Sequence, residues 1–226
     1  MCRDCLAEPR PLDAEYFCSQ CRTPFRNAAP LDEQGRCTLC RRGLRGFDAA
    51  YSFGAYEETL RELIHLFKYS RVRPLARPLG AMMASAVPGD QSFDVVAPVP
   101  LHWRRRLERG FNQSELLARA VARRYGLKVT PAVRRRRSTS AQAGLSNARR
   151  RSNVTGAFRV ARPEAVAGRR VLLVDDVLTT GATAAACATA LKRAGARYVA
   201  VLTLARVDRR LYVEPYPAES AVAGVS

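Results

Sequence analysis

The residues best equipped for chemistry stand between Val171 and Thr183, in the run VLLVDDVLTTGAT. Two adjacent carboxylates, Asp175 and Asp176, close the apolar run Val171 to Val174, which has the character of a strand covered on both faces. Thr179, Thr180, Gly181, Ala182 and Thr183 then supply hydroxyls and, around Gly181, backbone N–H groups that converge on an anion at the positive end of the next helix. That helix, expected over Thr183 to Ala194, is rich in Ala, carries Lys192 and Arg193 in its last turn and stops at Gly195. Carboxylates accept hydrogen bonds from vicinal hydroxyls, and converging amides hold a phosphate dianion, so the two parts together suit a sugar phosphate. An ordinary turn capped by Asp176 leaves unexplained why two mutually repelling carboxylates sit side by side, and the chain has no G-x-x-x-x-G-K-[ST] phosphate loop.

A second constellation lies near the amino terminus. Six of the seven cysteines form three C-x-x-C pairs, Cys2/Cys5, Cys18/Cys21 and Cys37/Cys40. No apolar segment follows Met1, and no run approaches the ~18 apolar residues of a membrane helix, so a cytoplasmic protein without membrane insertion is expected. In a reducing compartment such spacing indicates metal thiolates rather than disulfides. Residues 1–46 are too poor in apolar side chains to fold by burial, and a structural zinc supplies the missing free energy. The spacing C-x2-C-x12-C-x2-C favours Cys2, Cys5, Cys18 and Cys21 as ligands. The alternative replaces the second pair by Cys37 and Cys40, leaving Cys18 and Cys21 on an intervening helix. A redox role is less favoured, because the motif lies in no strand-to-helix context.

Charge is the third feature. The chain of 226 residues has 38 Lys and Arg against 20 Asp and Glu, a net charge of +18, and only Lys68, Lys128 and Lys192 are lysines. Residues 101–160 hold 16 of the cations against Glu108 and Glu115, a local charge of +14. Such a field gathers polyanions, whether pyrophosphate-bearing metabolites or nucleic acid.

The elements that must position these groups alternate along the chain. From Tyr51 to about Val87 the pattern is mostly helical, with Leu60, Leu63, Ile64 and Phe67 at helical spacing and a second helix after Pro74; His65, beside that stripe, is a solvated or core-edge residue. A strand over FDVVAPVP precedes a basic loop, LHWRRRLERGFNQ, and a helix from about Ser114 to Tyr125 leads to a short strand at Leu127 to Thr130. Residues 134–153 read as a flexible basic loop, Val154 to Val160 as a short strand, Tyr198 to Ala205 as the last strand, and 211–226 as a tail. Helix and strand alternation indicates an α/β fold with a parallel sheet over 47–210, after the cysteine module of 1–46.

The 171–183 segment resembles the type I phosphoribosyltransferases, whose fingerprint is an apolar strand, two acidic residues and T-[TS]-G-x-T. That resemblance implies that Asp175 and Asp176 hold the ribose hydroxyls of phosphoribosyl pyrophosphate, with Mg²⁺, and that Thr179 to Thr183 wrap its 5′-phosphate. Together with the cysteine module, PVPLHWRRRLERGFNQSELLA and QAGLSNARRRSNVTGAF, it narrows to the ComF family of bacterial competence-associated proteins. The same segments are similar to glutamine-dependent amidophosphoribosyltransferases, from which the chain departs in having no room for a glutaminase domain.

What the ComF resemblance implies is phosphoribosyl pyrophosphate binding joined to handling of single-stranded DNA in natural transformation; it also admits a homodimer or partners from the competence machinery. His102, Arg104, Arg105, Arg106 and Arg109 are then expected on the pyrophosphate, and Arg149 or Arg150 over the leaving group on a flap around Gln142 to Asn153. The arginines at 104–106, 109, 134–137 and 149–151 suit a phosphate backbone, with Trp103 either stacking a base or packing against the loop. The rival reading is a nucleotide-salvage or biosynthetic transferase whose basic loops serve only its polyphosphate substrate; +14 over sixty residues exceeds what a small substrate requires.

Overall fold

The computed structural model describes residues 3–43, 46–101, 103–135 and 156–207. Its centre is a five-stranded, wholly parallel sheet in the order β3-β9-β8-β4-β5. The strands are β3 (Ala49–Ala55), β4 (Val95–Pro98), β5 (Lys128–Val129), β8 (Arg170–Leu178) and β9 (Tyr198–Arg206). Continuous apolar runs form the three inner strands because both faces are covered. Val171 and Leu173 join Val95, Ala97, Val199 and Val201 in one core cluster, whereas Leu172 and Val174 join Val96, Ala200 and Leu202 in the other.

On one face lie α3 (Glu58–Tyr69), α4 (Ala76–Ser85) and α6 (Gln113–Tyr125), which bury Leu60, Leu63, Ile64 and Phe67, then Leu79 and Met83, then Leu117 and Val121. Helices α4 and α6 approach so closely that a Cβ on Gly80 would sit 2.4 Å from that of Ala120. The other face takes α7 (Ala182–Arg193) and the hairpin of β6 (Val133–Arg135) with β7 (Phe158–Val160). The cysteine segment contains α1 (Arg3–Ala7), β1 (Tyr16–Phe17), β2 (Pro24–Phe25) and α2 (Thr38–Arg41); its four buried cysteines, Phe25 and Leu39 pack on this same face, whereas Leu6 of α1 packs against the other cluster. Its Cys18, Cys21, Cys37 and Cys40 share one apolar cluster with Cys187, Ala188 and Leu191 of α7.

Three differences from the sequence expectations concern elements around the site. The segment from Tyr51 opens not with helix but with β3, the sheet's edge strand beside β9; a short apolar run does not by itself separate strand from buried helix. The expected basic loop contains α5 (Trp103–Arg109), since Arg, Leu and Glu are strong helix formers. Strand β8 does not stop at the acids but pairs with β9 as far as Leu178, opposite Arg206. The flap of 142–153 and the tail from 211 lie outside the described residues. Among the described residues no helix is long and apolar enough to cross a membrane.

Candidate ribose-phosphate site and cysteine centre

The carboxyl ends of β8 and β4 meet the amino ends of α6 and α7, the place where open parallel sheets bind ligands. The two acids there find different partners. Asp176 makes an ion pair with Lys68 of α3, 2.9 Å long, with both side chains 14% exposed. Asp175 accepts from the Ser114 hydroxyl at 2.8 Å and from the Asp176 backbone N–H at 2.9 Å. Ser114 is delivered by the start of α6, where Asn112 caps the helix by accepting from the Ser114 N–H and also donates to the Val99 carbonyl at 3.1 Å. The 99–112 segment is thereby pinned at both ends to the acid pair's neighbourhood.

Burial, followed by the charge of Asp176, pushes the Asp175 carboxyl up to about 7. Burial works against the Lys68 ammonium, but Asp176 and then Asp175 outweigh it and its pKa is raised. One lysine therefore neutralises one carboxylate, and the second remains short of positive charge. Hydroxyl donors or a cation are what such a pair takes up.

Beyond Leu178 the chain turns through Thr179 and Thr180 to Gly181, whose φ of 78° lies in the left-handed region that glycine adopts without cost. Gly181 caps α7, the Thr180 hydroxyl accepts from the Ala182 N–H at 3.3 Å, and the first intrahelical bond runs from the Ala185 N–H to the Gly181 carbonyl. The other first-turn amides have no acceptor within the helix, which is the arrangement that receives a phosphate. Two residues of β8, Val177 and Leu178, separate this turn from Asp175 and Asp176 along the chain.

The remaining expected residues are less uniform. Arg109, on α5, lies over the Tyr69 ring at 5.0 Å, and Arg106 is exposed on the same helix. Arg104 and Arg105 belong to α5; His102, Arg149 and Arg150 lie outside the described residues. Lys68, Tyr69, Arg71, Glu108 and Arg109 line a cleft of about 350 Å³ beside the acid pair. Sequence reasoning missed Lys68 and Ser114. Lys68 had a signal, being one of three lysines in an arginine-dominated chain and adjoining the core residue Phe67; Ser114 showed only as a helix start.

The cysteine centre corrects the expected ligand set. Cys18, Cys21, Cys37 and Cys40 bring their Sγ atoms within 4.8 Å of one another, all buried. Cys5 is exposed and outside this group, and Cys2 lies outside the described residues. The 12-residue spacer suggested pairing the first two motifs, but the turns decide otherwise. Cys18 and Cys21 occupy the turn between β1 and β2, not an intervening helix, and the Asp32–Gly35 turn folds Cys37 and the start of α2 back onto them. The Sγ separations of 3.7 Å for Cys18–Cys40 and Cys21–Cys37 match the about 3.8 Å edge of a tetrahedron with ~2.3 Å metal–sulfur bonds. Backbone N–H groups of Cys21 and Cys37 point at the Cys18 sulfur, at 3.5 and 3.3 Å. The neighbouring thiols Cys18 and Cys21, and then burial, push Cys37 and Cys40 up, so the four do not all ionise without a cation. The donor set fits structural Zn²⁺.

Arg206, at the end of β9 and 2% exposed, ties this centre to the sheet. Its guanidinium donates to the Cys21 carbonyl and to the Thr23 hydroxyl, each at 2.6 Å, and Thr23 Oγ1 lies 2.9 Å from the Cys21 sulfur. A cation behind a tetrathiolate offsets its surplus negative charge and orients a ligand. Arg206→Met is expected to speed zinc release to a chromogenic chelator by roughly tenfold or more, with unchanged release refuting the role.

Residues 112–219 match the phosphoribosyl transferase domain family. The DNA utilization protein YhgH of Escherichia coli (strain K12) is 40% identical over 158 residues, covering 67% of this chain and 69% of that protein. Competence protein F of Haemophilus influenzae is 33% identical over 168 residues, covering 71% of this chain and 73% of that one. The chain belongs to the ComF family. The solved glutamine phosphoribosylpyrophosphate amidotransferase from B. subtilis, complexed with ADP and GMP, is 27% identical over 56% of this chain and a quarter (25%) of that longer one. Its TM-score is 0.40, too low to carry weight. For this ComF-family protein the fold rests on the domain match and on the parallel sheet with its flanking helices.

Proposed function

We propose that this competence-related phosphoribosyltransferase-like protein binds phosphoribosyl pyrophosphate with Mg²⁺ at Asp175, Asp176 and the 179–183 turn, and handles single-stranded DNA in natural transformation. The observation that carries the first part is the carboxylate pair, one member neutralised by Lys68 and the other held by Ser114, on the strand that leads into the glycine-capped start of α7. The acids take the ribose hydroxyls, the turn takes the 5′-phosphate, and the cations of 102–109 meet the pyrophosphate. Mg²⁺, when bound with the substrate, offsets polyphosphate charge. If an acceptor nitrogen attacks C1, pyrophosphate departs with the bonding pair, and the two acids favour the positive charge developing on the sugar ring. Lys68 and Ser114 hold the acids in place, and Arg149 or Arg150 closes over the leaving group. Calorimetric titration with phosphoribosyl pyrophosphate and Mg²⁺ tests this part, and an absence of heat sinks it.

The second part rests on charge: +18 overall and +14 over residues 101–160 suit a polymer better than a metabolite. Log affinity for a single-stranded oligonucleotide should fall linearly with log salt. Changing Arg134 to Arg137 to Ala should flatten that slope by about 3, from ~0.7 per phosphate contact. A salt-independent or absent signal counts against the polymer.

A further inference from the structure

Four large apolar side chains stand exposed among the described residues, and all four belong to α3 and α5. They are Leu66 (40% exposed), Tyr69 (63%), Trp103 (60%) and Leu107 (73%). They are not spillover from the core, because α3 already buries a full stripe, Leu60, Leu63, Ile64 and Phe67, against the sheet. The carboxyl ends of the two helices meet in one surface. Arg71 donates to the Glu108 carbonyl at 2.7 Å, and Arg109 lies over the Tyr69 ring with an N–H 3.4 Å from its hydroxyl oxygen. That surface opens into the Lys68 cleft and so stands beside Asp176. A second hollow, about 440 Å³, is lined by Trp103, Arg106, Leu107 and Gly110.

Charge selects the occupant. Arg71 and Arg109 line the cleft with Tyr69 and Arg106 lines the hollow with Trp103, Arg73 donates to the Gly110 carbonyl at that hollow, and Glu108 is the acid among the cleft residues. A second copy of a chain with net charge +18 would set like charges against one another there. Flat apolar faces joined by anions meet both features, since bases stack on aromatic rings while guanidinium groups hold phosphates. A duplex keeps its base faces stacked inside, so the match is to a single strand.

We propose that α3 and α5 form a stacking platform, built on Tyr69, Trp103 and Leu107 and edged by Arg71 and Arg109, that lays single-stranded nucleic acid across the mouth of the ribose-phosphate site. This rests on the polymer reading above and places the strand on the protein. A strand so laid passes its sugar-phosphate chain by the cleft that Lys68 shares with Asp176.

Trp103 is the chain's one tryptophan, so intrinsic fluorescence reports on the platform without any variant. Titration with an unlabelled deoxythymidine oligomer should quench its emission saturably, at the midpoint given by anisotropy of the labelled oligomer. A blunt duplex of equal length should need at least tenfold more. Tyr69→Ala with Leu107→Ser should weaken the oligomer roughly tenfold, while circular dichroism stays as in the unchanged protein. Binding seen by anisotropy with Trp103 emission unmoved overturns the platform but spares the polymer reading; no binding at all removes both. Sedimentation of a dimer that the double variant splits also overturns it, because the surface would then belong to a second copy.

Discussion

Asp175→Asn and Asp176→Asn are each expected to abolish the calorimetric heat of phosphoribosyl pyrophosphate binding in Mg²⁺, and to move stability in opposite directions at neutral pH. The loss of binding follows because an amide neither attracts a cation nor accepts as strongly from two hydroxyls. The opposite stability effects follow from their partners. Asp175 has its pKa raised to about 7 by burial and by Asp176, so the folded chain holds a proton that the unfolded chain releases near 4. Stability therefore falls as pH rises from about 4 to 7, and the loss is complete above 7. An amide at position 175 retains an acceptor for Ser114 without that cost, so Asp175→Asn should gain on the order of 1–2 kcal/mol at pH 7.5 and lose that part of the pH dependence. Asp176→Asn instead takes from Lys68, a side chain 14% exposed, its ion-pair partner and leaves only the weaker pull of Asp175, and should lose about 1–3 kcal/mol. Denaturant melts at pH 5 and 7.5 check both signs. Retained binding in either variant would discredit the site, and equal stability shifts would discredit the electrostatics.

Removal of the cysteine centre should have the larger effect on folding. Cys18→Ser or Cys40→Ser should lower zinc from about one per chain to near none and unfold the segment before Phe47, because metal binding supplies about 10 kcal/mol or more to such modules. The damage should reach the sheet, since the cysteine cluster is continuous with Cys187, Ala188 and Leu191 of α7 and Arg206 loses its acceptors on Cys21 and Thr23. Cys5→Ser should leave zinc content unchanged, because Cys5 stands outside the quartet. Metal analysis with limited proteolysis separates these outcomes. A zinc content that falls with Cys5→Ser, or a Cys40→Ser protein that keeps its metal, would reverse the ligand assignment.

Local patterns were legible wherever one element carries its own signal. The Val171–Val174 run, the acids after it and the glycine before α7 declared a sheet strand, a carboxylate pair and an anion turn, and the α3 stripe from Leu60 to Phe67 declared its buried face. Strand β3 was not legible: AAYSFGA is short and apolar on both faces, and its strand character comes from pairing with β9, some 150 residues later. Helix α5 was hidden by its charge, although its residues favour a helix.

What the amino-acid order determined alone is the chemistry available: two adjacent acids, a hydroxyl- and amide-rich turn, thiols in pairs and an arginine-dominated field. Those properties depend on residue type and on neighbours within one or two turns of chain. Only the tertiary structure decided which groups act together: Lys68 and Ser114 with the acids, Cys37 and Cys40 with Cys18 and Cys21, Arg206 behind the thiols, and Tyr69 beside α5. Each of those pairings is set by how the helices and turns close on the parallel sheet, and no spacing along the chain encodes that closure.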